Sequence, residues 1–446
     1  MSKPLALKKI ISHFRESWQG LPDERKANNN TRYRIADAAL AAFSTFFLQL
    51  PSFLAFQRRM EQSKGRSNSQ SLFQMEQIPS DGQIRNLLDP LTPDQFDGEY
   101  RWVVTELEKS GHLQPFRSHA NTLLVALDGV TYHSSTTIHC GECLHREDKS
   151  GVIHYYHSAI APILVHPNLA HVLPLPPELI VPQDGYEKQD CERSAVKRWL
   201  TRQAAHDAPG TITYLGDDLY ANQPLCQQIA QDAQQFFVFV CKPDSHTTLY
   251  QELALLEPVA GVTTLVQRHW TGRQAELWTY RFATHLPLRA SSDALLVNWV
   301  ELTITAEKRG TQIFHNAWIT NHLLTAQTVV ALAHVGRTRW KIENEAINVL
   351  KNQGYHLEHN FGHGQKHLST VLFSLNLLAF LIHTAQHLVD DAYRLLRDTL
   401  AVRRTFFHDL KALTRYILFD NWDALFAFML DGLELAIPPP SAPTQF

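Results

Sequence analysis

Cysteine is scarce in this chain. Five residues in 446 (Cys140, Cys143, Cys191, Cys226 and Cys241) exclude a disulfide scaffold and point to a reducing compartment. Charge is sparse as well: 19% of residues are charged and the formal net charge is -3, so bulk charge gives no argument for a polyanionic partner. Glycine and proline are too few and too scattered for collagen-like or low-complexity classes, and no heptad run supports a coiled coil. Long uninterrupted apolar runs are missing too. The stretch 38–56 is broken by Ser44, Thr45, Gln49 and Pro51, and the stretch 371–389 by Ser374, Asn376, His383, Gln386 and His387, so both read as buried helices rather than membrane spans. No leader with a small-residue cleavage site is evident, and the expectation is a soluble cytoplasmic protein with no membrane association.

What is present is core-forming material. Hydrophobic residues make up 44% of the chain and aromatics 10%, enough for roughly two to four packed domains. Charge is distributed unevenly. Residues 1–66 hold twelve Lys/Arg (Lys3, Lys8, Lys9, Arg15, Arg25, Lys26, Arg32, Arg34, Arg58, Arg59, Lys64, Arg66) against five acids (Glu16, Asp23, Glu24, Asp37, Glu61), a net of +7 that leaves -10 for the remainder. A basic module joined to a carboxylate-gathering body is the pattern of a nucleic-acid-processing enzyme, although an ordinary solvated terminus has the same composition.

The first sixty residues have a helical pattern with a polar break at 19–30 and a kink at Pro51; the Ser/Gln/Asn-rich stretch 63–71 predicts a loop. From about residue 120 the texture turns to short β-rich runs. TLLVAL at 122–127 predicts a buried strand, with 131–138 and 152–157 as its antiparallel neighbours; a helix follows at 187–205, then strand 211–216, helix 223–234 and strand 236–241. Three strands, helix, strand, helix, strand is the order of a ribonuclease H-like domain, whose first and fourth strands lie side by side. Strand-rich sequence returns over 262–319, and helical pattern over 326–351.

Two of these strands end in aspartate. Asp128 follows TLLVAL and Asp217 follows TITYLG, so adjacent parallel strands would present both carboxylates at the carboxyl edge of the sheet, where open α/β sheets bind ligands. Like charges this close repel unless a divalent cation joins them. Asp218 competes with Asp217 for the role; Asp217 is preferred because it ends the strand directly. The third acid lies in RTRWKIENEAINVLK at 337–351, where a helix puts Arg339 one turn before Glu343. Beside them runs a polar stripe of Lys341, Asn344, Asn348 and Lys351 or Asn352, ordinarily a solvated face, here suited to a phosphate backbone.

LVALDGVTYHSS around Asp128, YLGDDLYANQPL around Asp217 and RWKIENEAINVLKNQGYHLEHNFGHG around Glu343 together resemble the DDE transposases of bacterial insertion sequences, in the insertion-sequence-four group, over about residues 120–370. The group's tyrosine–arginine–glutamate–lysine signature is matched at Arg339 and Glu343. Gly336 stands where the tyrosine belongs. Leu350 stands where the lysine belongs, with Lys351 about 100° further round an ideal helix. Lys351 therefore acts from a shifted angle, or the helix contains a bulge, or the signature is only partly kept.

The resemblance implies an α/β fold: a ribonuclease H-like catalytic domain interrupted by a β-rich insertion, with helical N-terminal and C-terminal regions. Its divisions are 1–115, a basic helical DNA-binding region; 116–250, the first part of the catalytic domain; 251–322, the β insertion; 323–390, the second catalytic part with the Glu-bearing helix; and 391–446, a C-terminal helical region for dimer contacts ending in the proline-rich stretch 438–443. It implies excision and integration of an insertion sequence by nicking and strand transfer, with Asp128, Asp217 and Glu343 as catalytic residues holding two Mg²⁺ ions, Mn²⁺ being a substitute. It implies double-stranded DNA as partner (the element's terminal inverted repeats and a target), a homodimeric synaptic complex, and a bacterial, nucleoid-associated location. Arg339, Lys341, Asn344, Asn348, Lys351 and Trp318 would contact DNA. Alternatives on the same fold are a metal-dependent nuclease without strand transfer and a domesticated DNA-binding derivative.

Other features read more plainly. Cys140-x-x-Cys143 with His139, His145 and His154 nearby resembles half a zinc knuckle, but no second cysteine pair follows, so reduced structural thiols are the expectation and zinc binding the lesser alternative. His356, His359, His363 and His367 have mixed spacings and intervening glycines, and read as a loop near DNA rather than metal ligands. Trp278, Trp299 and Trp318 lie in the β insertion, where the resembled group carries an aromatic that stabilises a flipped base; core packing is the simpler reading for each. Glu192 and Glu345 are spare acids that read as surface helix charge.

Overall fold

The computed structural model describes residues 5–25, 32–60, 63–182, 188–400 and 402–437. The proline-rich stretch 438–443 and the basic residues Lys3 and Lys26 fall outside them. The strands are β1 (Leu123–Ala126), β2 (Gly129–Ser135), β3 (Leu144–Glu147), β4 (Ile153–Ile160), β5 (Ile163–Val165), β6 (Leu173–Pro174), β7 (Glu178–Ile180), β8 (Ile212–Gly216), β9 (Phe236–Val240), β10 (Thr263–Trp270), β11 (Ala275–Pro287), β12 (Leu296–Ala306) and β13 (Gln312–Thr320). Among the described residues they form a nine-stranded mixed sheet, ordered β10-β11-β12-β13-β9-β8-β1-β5-β6, and a four-stranded one in which β4 pairs with β2, β3 and β7.

At the centre of the large sheet β1, β8 and β9 run parallel, and β1 and β8 are buried at every position. Continuous apolar runs such as LLVA and ITYLG suit strands covered on both faces. Helix Lys188–Gln203 connects β7 to β8, and a short helical segment begun at Gln223–Gln227 connects β8 to β9. The run 263–320 is an antiparallel meander that joins the sheet through β13 against β9.

The predicted neighbours of β1 require correction. Residues 131–138 and 152–157 do not flank β1; β2 and β4 pair with each other in the small sheet, and β1 pairs instead with β5. One long hairpin bends at Asp128, where Ala161 N–H donates to Asp128 O (3.1 Å) and Pro162, which has no N–H to give, interrupts the ladder. The stretch 63–71, read as a loop, lies in the helix Ser63–Phe73. Tertiary contacts override its weak propensity: Asn68 Nδ2 donates to Thr414 O and Ile417 O (2.8 and 2.7 Å) while its Oδ1 accepts Phe419 N–H (3.0 Å).

The two apolar stretches are core helices. Ile35–Phe47 is buried on all sides and packs against Leu368–Val389, which is itself almost wholly buried. Tyr100 Oη, on the helix Asp97–Lys109, donates to Ser374 O (2.5 Å) and so ties a third helix to that centre.

Candidate active site

In the β1–β8 ladder Ala126 is opposite Leu215, so Asp128 and Asp217 each stand two residues past a matched pair at the carboxyl edge of the sheet. Equal offsets on adjacent parallel strands bring two chain segments, far apart in sequence, to one edge. Asp128 accepts a hydrogen bond from Gly129 N–H at Oδ1 (3.0 Å) and an ion-paired one from Arg339 Nη1 at Oδ2 (3.3 Å). Arg339 also reaches Glu343 Oε1 through Nη2 (3.5 Å), so one guanidinium bridges the first and third acids. Asp217 Oδ1 accepts Leu219 N–H (2.9 Å) in the turn after β8.

Electrostatics joins the three. The Asp128 carboxyl is pushed up to about 6: burial is the largest cause, Arg339 opposes it, and the charges of Asp217 and Glu343 add to it. Its negative charge is thus incompletely compensated by the single arginine. Oxygen-only donors with a surplus of negative charge are the donor chemistry of a hard divalent cation, but the three acids are not gathered within 4.8 Å of one another.

Asp218 is occupied elsewhere. It accepts Lys242 N–H (2.7 Å) and Ser245 Oγ–H (2.5 Å) and faces His246 Nε2 (3.3 Å), fastening the loop after β9. Burial alone would raise its pKa, but these partners outweigh burial and hold it below the ordinary carboxylate value. Glu192, read as surface charge, is buried, and its Oε1 lies 2.7 Å from where a Cβ on Gly129 would stand. A fourth carboxylate therefore lies against the residue that follows Asp128, and glycine there leaves it room.

The segment bearing Glu343 is not one regular helix. An α-helix Val329–Arg337 tightens over Thr338–Trp340, widens into a π-helical turn over Ile342–Ile347, and ends as Asn348–Asn352. A π turn takes in an extra residue, so eight positions cover the rotation that seven cover in an α-helix. The helix does contain a bulge; Leu350 is wholly buried, and Lys351 is partly exposed with Nζ 2.7 Å from Glu358 Oε1. Gly336 has a steric cause. A Cβ there would lie 2.6 Å from the Trp318 indole, so the tryptophan fills the space a larger residue would need.

Two residues expected to contact DNA point inward. Trp318 is 1% exposed and cannot stack on a base without unpacking the core. Lys341 is buried, and its Nζ donates to Leu169 O (2.7 Å). Asn344 and Asn348 remain on the surface, with Asn348 Nδ2 donating to Asn344 Oδ1 (3.3 Å).

Sequence reasoning missed a basic cleft of about 840 Å³ beside the end of the Glu343 segment, lined among others by Asn352, His356, Arg403, Arg404, His408 and Lys411. Four of these six come from the helix Arg403–Tyr416, whose RRTFFHDLK run would have shown the cationic face at helical spacing. The Lys411 amine is pushed down by burial first and then by Arg59 and Arg404. Sequence reasoning weighed Cys140, Cys143 and His363 separately and did not join them, with His157, into one cluster. Among the described residues, Cys140, Cys143, His157 and His363 bring one ligand atom each within 4.8 Å of one another, whereas the three acids are not drawn together that closely. His139, His145 and His154 do not belong to that group. His157 sits on β4, and His363 follows Cys143 by 220 positions, a separation no spacing rule covers.

No protein family matches the chain, and no curated protein does. Among solved structures, the chain is similar to one described as the cryo-EM structure of piggyBac transposase synaptic complex with hairpin DNA. The two share 9% identity with a TM-score of 0.40, over 100% of this chain and 87% of that one.

Proposed function

We propose that the chain is a DNA transposase of the DDE type, cutting and joining strands at Asp128, Asp217 and Glu343. The observation that carries this reading is the convergence of charge at the sheet edge, where two acids on adjacent parallel strands and a third on a π-bulged helix act on one another around Arg339. The order β6-β5-β1-β8-β9 supports a ribonuclease H-like core, with strands three, two, one, four and five side by side, and the meander between Asp217 and Glu343 is read as its β insertion.

In this reading the three carboxylates would hold Mg²⁺ or Mn²⁺, which would supply Lewis acidity to an in-line phosphoryl displacement. Arg339 neutralises the acids and then turns to phosphate, for which its planar fork is suited. DNA follows the exposed Asn344 and Asn348 towards the basic cleft, where Arg404 and His408 meet the backbone. Dimeric synapsis of two element ends belongs to the same proposal.

The test uses supercoiled plasmid carrying candidate element ends, with Mg²⁺ and with the chelated control. Nicking and joining by the parent, and neither by Asp128→Asn at matched folding, is the expected result. Equal nicking by that variant would remove the acids from the chemistry; cleavage without joining by the parent would leave a nuclease.

A further inference from the structure

A second group of side chains, outside the acidic edge, has the geometry of a closed metal site. Cys140 and Cys143 lie in the turn between β2 and β3, where Cys143 N–H donates to Cys140 O (3.3 Å) and Cys140 N–H points at Cys143 Sγ (3.4 Å). His157 comes from β4, and His363 from the segment that links the Glu343 helix to the core helix Leu368–Val389.

The separations are decisive. Sγ–Sγ is 3.9 Å; Cys140 Sγ–His157 Nε2 is 3.5 Å; Cys143 Sγ lies 3.4 Å from both His157 Nε2 and His363 Nε2; Nε2–Nε2 is 3.2 Å. A tetrahedral ion with Zn–S bonds of about 2.3 Å and Zn–N bonds of about 2.0 to 2.1 Å has edges of about 3.8 Å for S···S, about 3.5 Å for S···N and about 3.3 Å for N···N. All five separations agree with those edges to within about 0.2 Å. A disulfide would need its sulfurs at about 2.05 Å, which this turn does not provide.

Proton placement points the same way. His363 Nδ1 lies 3.1 Å from Gly364 O, which fixes the proton on Nδ1 and leaves the Nε2 lone pair aimed into the cluster. Tyr132 stacks on both His157 and Phe373, holding the first ring from behind. Cys143, His157 and His363 are buried, and only Cys140 is partly exposed, so four protein donors close the site and leave no position for a substrate.

We infer that Cys140, Cys143, His157 and His363 bind a structural Zn²⁺ ion that fastens the bent β2–β4 hairpin to the segment following the Glu343 helix. Thiolate and imidazole select a borderline-soft ion, in contrast to the oxygen donors of the acidic edge. Because β2 begins at the residue after Asp128, the clamp joins the element that carries the first acid to the one that follows the third. The inference does not rest on the DNA-cleaving reading.

Full-length protein purified without chelator should contain about one zinc per chain, with an X-ray absorption shell of two sulfurs at about 2.3 Å and two nitrogens at about 2.0 Å. Cobalt exchange should give the visible bands of a tetrahedral ion with a thiolate charge-transfer band. Cys143→Ser and His363→Ala should lower zinc content at least tenfold, while His139→Ala, His145→Ala and His154→Ala should retain it. If the first two variants fail to fold, the absorption and cobalt spectra of the parent decide alone. A parent that takes up neither metal while both thiols react freely, a Cys140–Cys143 disulfide found by mass spectrometry, or a zinc shell without sulfur would overturn the assignment.

Discussion

The acidic edge and the Cys/His cluster are both sets of prospective metal ligands, and they differ in how far the polypeptide alone assembles them. The cluster's donors already stand at tetrahedral separations, mostly buried, with one tautomer set by a backbone carbonyl. At the edge the carboxylates are farther apart, Glu343 is 57% exposed on its side chain, and an arginine occupies the gap. A closed donor set stabilises a fold; an open, charge-frustrated one leaves room for a substrate phosphate. Under the two proposals, similar ligand counts serve stability in one place and chemistry in another.

Breaking either side of this contrast should give effects of different kind. The largest is expected from Asp128→Asn, with a loss of strand cleavage of at least ~10³-fold in a plasmid assay and no loss of thermal stability, as the proposed chemical role of the edge requires. Cys143→Ser should act in the opposite sense. It should cost about 3 kcal/mol or more in denaturant unfolding, with zinc released, because an open cluster strands its other donors.

A third test sharpens the role of packing beneath the edge. Gly336→Tyr, which would restore the resembled signature, should destabilise the protein by roughly 2 to 3 kcal/mol in thermal unfolding, because the ring has to displace Trp318. If that substitution were neutral, the steric account of Gly336 would be wrong.

Titration supplies a fourth. With Asp128 pushed up to about 6 in the folded state and near 3.9 when unfolded, the native protein binds more protons between those values. Stability from this group is therefore lost as pH rises through that window, and its cost is complete above about pH 6. In chelator, Asp128→Asn should stabilise the protein by roughly 1 to 2 kcal/mol at pH 7.5 and by almost nothing near pH 4. A divalent cation should stabilise the parent at neutral pH and not the variant. The smallest effect is expected at the basic cleft, where Arg404→Ala should lower the slope of log affinity against log salt by about 0.9 in a DNA-binding titration.

The two strands of the edge were legible in the sequence because local pattern encodes them. Apolar strands ending in Asp128 and Asp217 declare their own positions, and the four-residue spacing of Arg339 and Glu343 keeps the two in reach of each other although the helix between them changes its winding. The hairpin bend was not legible, since alternation in 131–138 is the same whether a strand continues its sheet or leaves it; only the pairing of Ala161 with Asp128 distinguishes the two. The Lys351 ambiguity arose because a π turn has no period of its own in the sequence. Lys341 looks like a surface ligand until the fold places Leu169 O against it, whereas for Trp318 the core-packing reading holds, with Gly336 against the indole. His363 is the extreme case, since its ligand role exists only after the core helix has brought 353–367 against the small sheet.

The central claim is that Asp128, Asp217 and Glu343 share divalent ions at one sheet edge. Crystals soaked in Mn²⁺ and recorded at the manganese absorption edge test it directly. Anomalous peaks within coordination distance of all three carboxylates, with Arg339 drawn away from Asp128, are the expected result; Arg339 still paired with Asp128, and manganese absent from that edge at saturating concentration, would contradict it.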